Sequence, residues 1–390
     1  MKIIFWISLF IVFYTFIGYG ILLFIIIKIK RLFKKPAQFI YNENSLPSVT
    51  VVIAAYNEEN IIEEKIKNTL ALKYPKNKID YLFVTDGSDD NTPTIVAQYS
   101  EIKLMHSSER KGKVAAMHRA MNEIKSDVVV FTDANTFVNE DALIKICSHY
   151  ADPTVGAVSG EKRVHIDESS DATAGEGFYW KYESKLKAWD AELYSVAGAA
   201  GELFSIRTSL YEPAPSDTIL DDFIISLAVV TKGYRVMYEP EAYAQETSSE
   251  NTKEELKRKI RIAAGGIQSI LRLKHFLNPT NNFVFSFQYI SHRVLRWTIT
   301  PFLMILVFIL NTIIIFNYDS NWIYRLLFLC QIFFYLSALM GMLFESKQIR
   351  VKIFFIPYYF CFMNYAVIAG IFRYMKKNQS AAWERSKRKG

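Results

Sequence analysis

The sequence predicts an α/β domain on a mostly parallel sheet, inserted between an N-terminal transmembrane helix and a C-terminal helical membrane region. Three observations carry this. Strand-like and helix-like segments alternate from residue 48 to about 277, the pattern of a parallel sheet covered on both faces. Residues 3–27 hold no charged side chain, and at ~1.5 Å per residue such a helix exceeds a ~30 Å hydrocarbon core. Past residue 277 the chain returns to long apolar runs. The expected divisions are 1–35, 45–277 and 278–390.

The first apolar run is too long for a signal-peptide core and lacks a small-x-small cleavage site, so it reads as a retained membrane helix. KIKRLFKK follows, with Lys28, Lys30, Arg31, Lys34 and Lys35. Such a basic flank places itself, and the polar domain behind it, in the cytoplasm. After a polar linker, SVTVVIAAY reads as a buried strand, and NEENIIEEKIKNTLALKY as an amphipathic helix on Ile62, Ile66, Leu70 and Leu72. YLFVTD, EIKLMH and DVVVFTD are further strands; NTPTIVAQY and GKVAAMHRAMNEIK are the helices between them.

Later, FVFSFQYISHRVLRW mixes aromatics with His292, Arg293 and Arg296, as a helix in the headgroup plane does. Apolar runs at 299–316, 323–344 and 351–374 come next. Three full crossings would leave the basic tail outside, whereas positive-inside reasoning favours it inside. Either the last run is partly interfacial or re-entrant, or the charge rule fails; two to three crossings and a cytoplasmic tail are expected.

Hydrophobic residues make up 51% of the 390, high for a fully soluble chain, and they concentrate at the two ends. The net charge of +7 is largely a membrane-flank effect. No basic face with aromatic platforms accompanies it, which excludes a nucleic-acid binder. Cys147, Cys330 and Cys361 are odd in number and lack metal spacing. They exclude a disulfide framework and a zinc site, as in a reduced compartment.

Three acidic motifs stand out: TDGSDD at 85–90, TDAN at 132–135 and LDD at 220–222. The first two end strands, where open α/β sheets place ligands. Carboxylates gathered there suit a divalent cation carrying a diphosphate, with one acid left as a base. Asp86 reads either as a ribose or nucleobase ligand or as an Asx turn. Asp133 and Asn135, two apart on an extended chain, face one way and suit a cation, or form a polar strand end. Asn135 stands where a second acid is more usual. Asp221 and Asp222 precede a helical pattern, so they read as a helix cap or as a coupled pair yielding a general base.

Arg110, Lys111 and Lys113 surround Gly112 before a helix, fitting a phosphate or a solvated loop. Arg258 and Arg261 share a helix face and suit a diphosphate or anionic headgroups. His106, His118 and His149 are isolated and receive no role.

The ordered set AAYNEE, TDGSDD, RKGK, TDAN, GAAGELFSIR, ILDDFIISL and RKIRIAAGG resembles the membrane-embedded family-2 glycosyltransferases. That group includes cellulose, chitin, hyaluronan and poly-N-acetylglucosamine synthases. The resemblance implies a Rossmann-like GT-A nucleotide-sugar domain using a UDP-sugar with Mg²⁺ or Mn²⁺ and inverting the anomeric centre. It implies that Tyr56, Glu58 and Asp86 line the nucleotide pocket, with Lys113 near the diphosphate. Asp133 would begin the metal motif, with Asn135 in place of its second acid. Asp222 matches the general base and Asp221 the acid before it. Gly198, Gly201 and Glu202 fall in the acceptor segment. Where processive members carry Q-x-x-R-W, this chain reads Arg258-Lys259-Ile260-Arg261-Ile262. Trp383 is similar to the tail tryptophan that gates hyaluronan-type sites.

The function so implied is transfer of a hexose or N-acetylhexosamine from a UDP-sugar to a growing polysaccharide, coupled to its membrane passage. Transfer of one sugar to a polyprenyl or other lipid acceptor is the alternative. A third reading is a catalytically silent membrane subunit binding a nucleotide or a partner synthase.

Overall fold

The computed structural model describes residues 1–34, 45–165, 173–247, 251–317, 321–347 and 351–376. They divide into two compact units. One contains Ile29–His165 and Lys187–Glu250; the other contains Met1–Lys28, Ile166–Leu186 and Asn251–Asn378.

The first unit carries an eight-stranded sheet. Its strands are β1 (Val49–Ala55), β2 (Ile79–Asp86), β3 (Lys103–Ser107), β4 (Val128–Asp133), β5 (Phe137–Val138), β6 (Val155–His165), β7 (Leu203–Arg207) and β8 (Arg235–Thr247). Their order is β3-β2-β1-β4-β7-β6-β8-β5. β1 is buried along its whole length, as a central strand covered on both faces must be. The four strands read from sequence are β1 to β4, and they pair in parallel.

Beyond them the sheet turns mixed: β7 lies antiparallel to both β4 and β6, and β5 antiparallel to β8. This reversal matters for the site. Thr132 near the end of β4 pairs with Leu203 at the start of β7, so the segment entering β7 meets the acidic end of β4.

Lys30 and Arg31, counted in the sequence as basic flank, are engaged within this unit. Lys30 Nζ donates to the Leu193 carbonyl (3.0 Å) and to that of Glu192, capping the end of the helix Thr173–Leu193. Arg31 forks onto the Glu192 carboxylate at 2.7 and 2.6 Å. Cations there complement the helix dipole.

The second unit is helical. Among the described residues, four helices are long and apolar enough to cross a membrane: Lys2–Phe33, Thr300–Asn317, Trp322–Glu345 and Ile353–Met375. The last has the length of a full crossing, where the charge argument had favoured a partial one. Phe5 packs with Val307, Leu310, Ile314 and Tyr324, while Ile3, Phe10, Phe333 and Ile353 are exposed apolar side chains, as lipid-facing positions require.

The AAGG run after Arg261 is a packing device. A Cβ on Gly266 would stand 2.5 Å from the Trp297 ring, and one on Gly370 would stand 2.6 Å from Ala263 Cβ. Small residues let these helices approach closely. Glu183 meets Arg293 (3.0 Å), Arg296 (2.7 Å) and His292 (3.1 Å). Burial would raise its carboxyl, but the cations hold it well below the usual range.

Candidate active site

A small cleft opens at the carboxyl ends of β1 and β2, lined by Ala54, Ala55, Tyr56, Asp86, Arg110, Gly112, Lys113 and Ala116. Two of the expected nucleotide residues, Tyr56 and Asp86, are in that lining, and Lys113 joins them. The Arg110 guanidinium lies 3.8 Å from the centre of the Tyr56 ring. Asp86 closes β2 and is buried. Its Oδ2 accepts from the Lys111 and Gly112 amides at 2.9 and 2.6 Å, so one carboxylate fixes the basic loop against the sheet end. Glu58 is buried outside the lining. Its amide donates to Thr92 Oγ1, and its carbonyl accepts from Ile61 and Ile62.

The remaining acids of TDGSDD serve a different purpose. Asn57, at φ 53°, exchanges bonds with Asp89, and Asp90 accepts from the Glu59 amide. Asp89 and Asp90 therefore tie the loop after β1 to the loop after β2. Of this motif's acids, only Asp86 lies in the cleft lining.

A second centre forms around Lys113, the first residue of the helix Lys113–Met121. Its ammonium donates to Asp133 Oδ1 at 2.6 Å and stands 3.8 Å from Asp221 Oδ2. Burial would lower the lysine's pKa, but Asp133, Asp221 and Asp222 outweigh it and raise it. Asp133 is raised by burial against the pull of Lys113. Burial pushes the Asp222 carboxyl up to about 7, with Asp221 adding to the push and Lys113 opposing it. A carboxyl near neutrality is what a general base at physiological pH requires.

Two sequence expectations need correction here. β4 ends at Asp133, and Ala134-Asn135 form a turn closed by Thr136 Oγ1 donating to the Asp133 carbonyl at 3.0 Å. The extended geometry that would aim Asp133 and Asn135 the same way is absent. Nor do the aspartates cap their helix. It begins at Asp221, Leu220 holds the N-cap position, and no side-chain cap bond forms. Both acids lie in the first turn, where the helix dipole favours carboxylates.

The segment before β7 is positioned by two serines. Ala199 N donates to Ser226 Oγ and Ala200 N to Ser159 Oγ, each at 3.0 Å. Gly198 adopts φ +99°, and a Cβ there would meet Phe223 at 2.2 Å, so only glycine fits. Gly201 lies against Asp222. The Glu202 carboxylate pairs with Lys162, which also holds Glu246, and the Glu202 carbonyl accepts from Thr132 Oγ1 at 3.0 Å.

Sequence reasoning missed Lys162 and Lys65. Lys65 is fully buried, donating to Thr136 O and Thr132 Oγ1. Burial brings its ammonium down to about 7, against the charge of Asp133. The signal was present: Lys65 falls between Ile62 and Ile66, on the apolar face of its helix. Arg258 and Arg261 sit in the other unit, on the helix Thr252–Arg272, where Arg258 pairs with Glu255 at 3.0 Å. Trp383 lies outside the described residues.

Among the described residues no three His, Cys, Asp or Glu side chains gather to hold a metal by themselves. The donor chemistry fits a different arrangement. Asp133, with Asp221 and Asp222 close enough to perturb Lys113, suits a cation that arrives on a diphosphate and takes one or two carboxylates from the protein.

Comparison with known proteins agrees with this geometry. Residues 50–213 match the family model described as Glycosyl transferase family 2. A poly-beta-1,6-N-acetyl-D-glucosamine synthase from Staphylococcus aureus (strain MSSA476) is 29% identical over 242 residues, covering 59% of this chain and 57% of that protein. The namesake from Staphylococcus epidermidis is 25% identical over 235 residues, covering 57% and 56%. The chain thus spans somewhat over half the length of the curated relatives it matches. In fold it is similar to a mannosyltransferase from Pyrobaculum calidifontis, solved in complex with GDP-Man and Mn2+. The TM-score is 0.71 at 23% identity, covering 96% of this chain and 100% of that one. The sheet, the acidic centre at its edge and the family match lead to one conclusion: the fold is GT-A-like, residues 50–213 match glycosyl transferase family 2, and among the described residues four helices have membrane-crossing length.

Proposed function

We propose that the chain is an inverting membrane glycosyltransferase that transfers a hexose or N-acetylhexosamine from a UDP-sugar to a growing polysaccharide. The observation that carries this reading is the acidic centre itself. Lys113 bonds Asp133 and stands 3.8 Å from Asp221, whose neighbour Asp222 is raised to about 7, beside a cleft lined by Tyr56 and Asp86. The names of the Staphylococcus relatives support a polysaccharide product.

In this reading Asp222 takes the proton of an acceptor hydroxyl as its oxygen attacks the anomeric carbon. The bond from that carbon to the UDP oxygen breaks, UDP leaves with the electron pair, and the configuration inverts. Asp86 holds the loop that carries Arg110 and Lys113 to the donor cleft. Asp133 would hold Mg²⁺ or Mn²⁺; a bound cation supplies Lewis-acid stabilisation of the departing diphosphate charge. Gly198, Gly201 and Glu202 shape the acceptor side. The catalytic domain is proposed to face the cytoplasm from the plasma membrane, with the C-terminal helices holding or passing the saccharide.

One observation favours the second reading, transfer of a single sugar to a lipid acceptor. Ile262 stands where processive enzymes of this kind place a stacking tryptophan. A panel of UDP- and GDP-sugars, with product masses measured, tests both. A ladder of repeating mass supports the polymerase, a single added sugar on extracted lipid supports the alternative, and no transfer from any donor contradicts both.

A further inference from the structure

The turn that carries Asp133 is held from behind by a lysine outside every motif described above. Lys65 lies on the helix Ile62–Leu70, with no exposed surface. Its ammonium donates to Thr136 O at 2.6 Å and to Thr132 Oγ1 at 3.2 Å, and these two threonines bracket Asp133. Thr132 has one hydroxyl proton, given to the Glu202 carbonyl at 3.0 Å, so it meets Lys65 as an acceptor. Thr136 Oγ1 closes the turn from the other side on the Asp133 carbonyl. One ammonium group therefore joins a helix, the turn after β4 and, through Thr132, the backbone entering β7.

Burying an ammonium costs several kcal/mol. At this position a leucine would simply continue the apolar face formed by Ile62 and Ile66. Core packing gives no reason for a cation there. The turn does: its Thr136 carbonyl lies inside the domain, and a buried carbonyl without a donor is costly.

We propose that Lys65 is a positioning residue for donor binding, which sets where the Asp133 carboxylate stands by fixing Thr132 and Thr136. It touches no reacting atom and acts through the turn, as outer-shell groups do at metal sites. The inference rests on the reading of this site as a nucleotide-sugar and cation site.

The test is calorimetric binding of UDP to the full-length protein in detergent, once with MnCl₂ and once with EDTA, for wild type and Lys65→Met. The variant is expected to bind UDP about tenfold more weakly in Mn²⁺ and to match wild type in EDTA. Wild-type affinity in Mn²⁺ overturns the proposal, as does an equal loss in both conditions, which marks a merely structural role. Should Lys65→Met fail to fold, Thr132→Val, which removes the side-chain acceptor of Lys65, carries the same expectation and the same contrary results. A wild-type protein whose UDP affinity gains nothing from Mn²⁺ removes the cation reading itself, and the inference with it. That outcome is read without any variant.

Discussion

Gly201 lies against Asp222: a Cβ on Gly201 would stand 3.1 Å from Asp222 Oδ2 and 3.3 Å from its Cγ. The proposed acceptor segment and the proposed base are thus in contact, with no room between them for a methyl group at rest. Gly201→Ala should displace the carboxylate by a few tenths of an ångström while leaving the fold intact. Small misplacements of reacting groups cost up to ~100-fold, so turnover is expected to fall about tenfold with UDP affinity unchanged. Steady-state kinetics beside UDP titration measure this; a loss of UDP affinity equal to the loss of turnover contradicts it.

Asp222 also sets a pH dependence. Its carboxyl is raised from 3.8 to about 7 by burial and by Asp221, and it must be ionised to accept a proton. Turnover should rise about tenfold per unit below that value and flatten above it. Stability runs the other way. The protonated group's contribution is fully present below about pH 4 and is lost as pH rises through about 7. Asp222→Asn should therefore melt at or above the wild-type temperature at pH 8, and the gap should shrink at pH 5. A variant that melts well below wild type at pH 8 contradicts the account.

Glu183 is a separate prediction, in the helical unit. Its carboxylate meets His292, Arg293 and Arg296. Removing one partner from a buried charge cluster costs about 3–5 kcal/mol. Glu183→Gln is expected to lower the melting temperature markedly in detergent. A melting curve equal to wild type would show that the cluster is solvated instead.

How much of this was legible in the sequence depends on range. β1 to β4 were readable because each is a short apolar run next to a turn signal, a local property. The antiparallel β7 was not readable, since only its partners make LFSIR a reversed strand. Asp86, Asp133 and Asp222 were legible as an ordered set, and the structure gives each different neighbours. Asn135 was misjudged in geometry because the strand ends one residue earlier than an extended pair needs. Asp89 and Asp90 received no role, and their bonds to Asn57 and the Glu59 amide follow from the meeting of two loops that are far apart in sequence. Lys65 received no role, since its turn carbonyl lies 71 positions along the chain.

The central claim is that Asp222 removes the acceptor proton in a family-2 glycosyl transfer. Its most direct test is UDP release from purified wild type and Asp222→Asn, given the UDP-sugar that the donor panel selects, with UDP binding measured alongside. The account predicts that the variant binds UDP as wild type does and loses at least about 100-fold in UDP release. Near-wild-type release from the variant would contradict it.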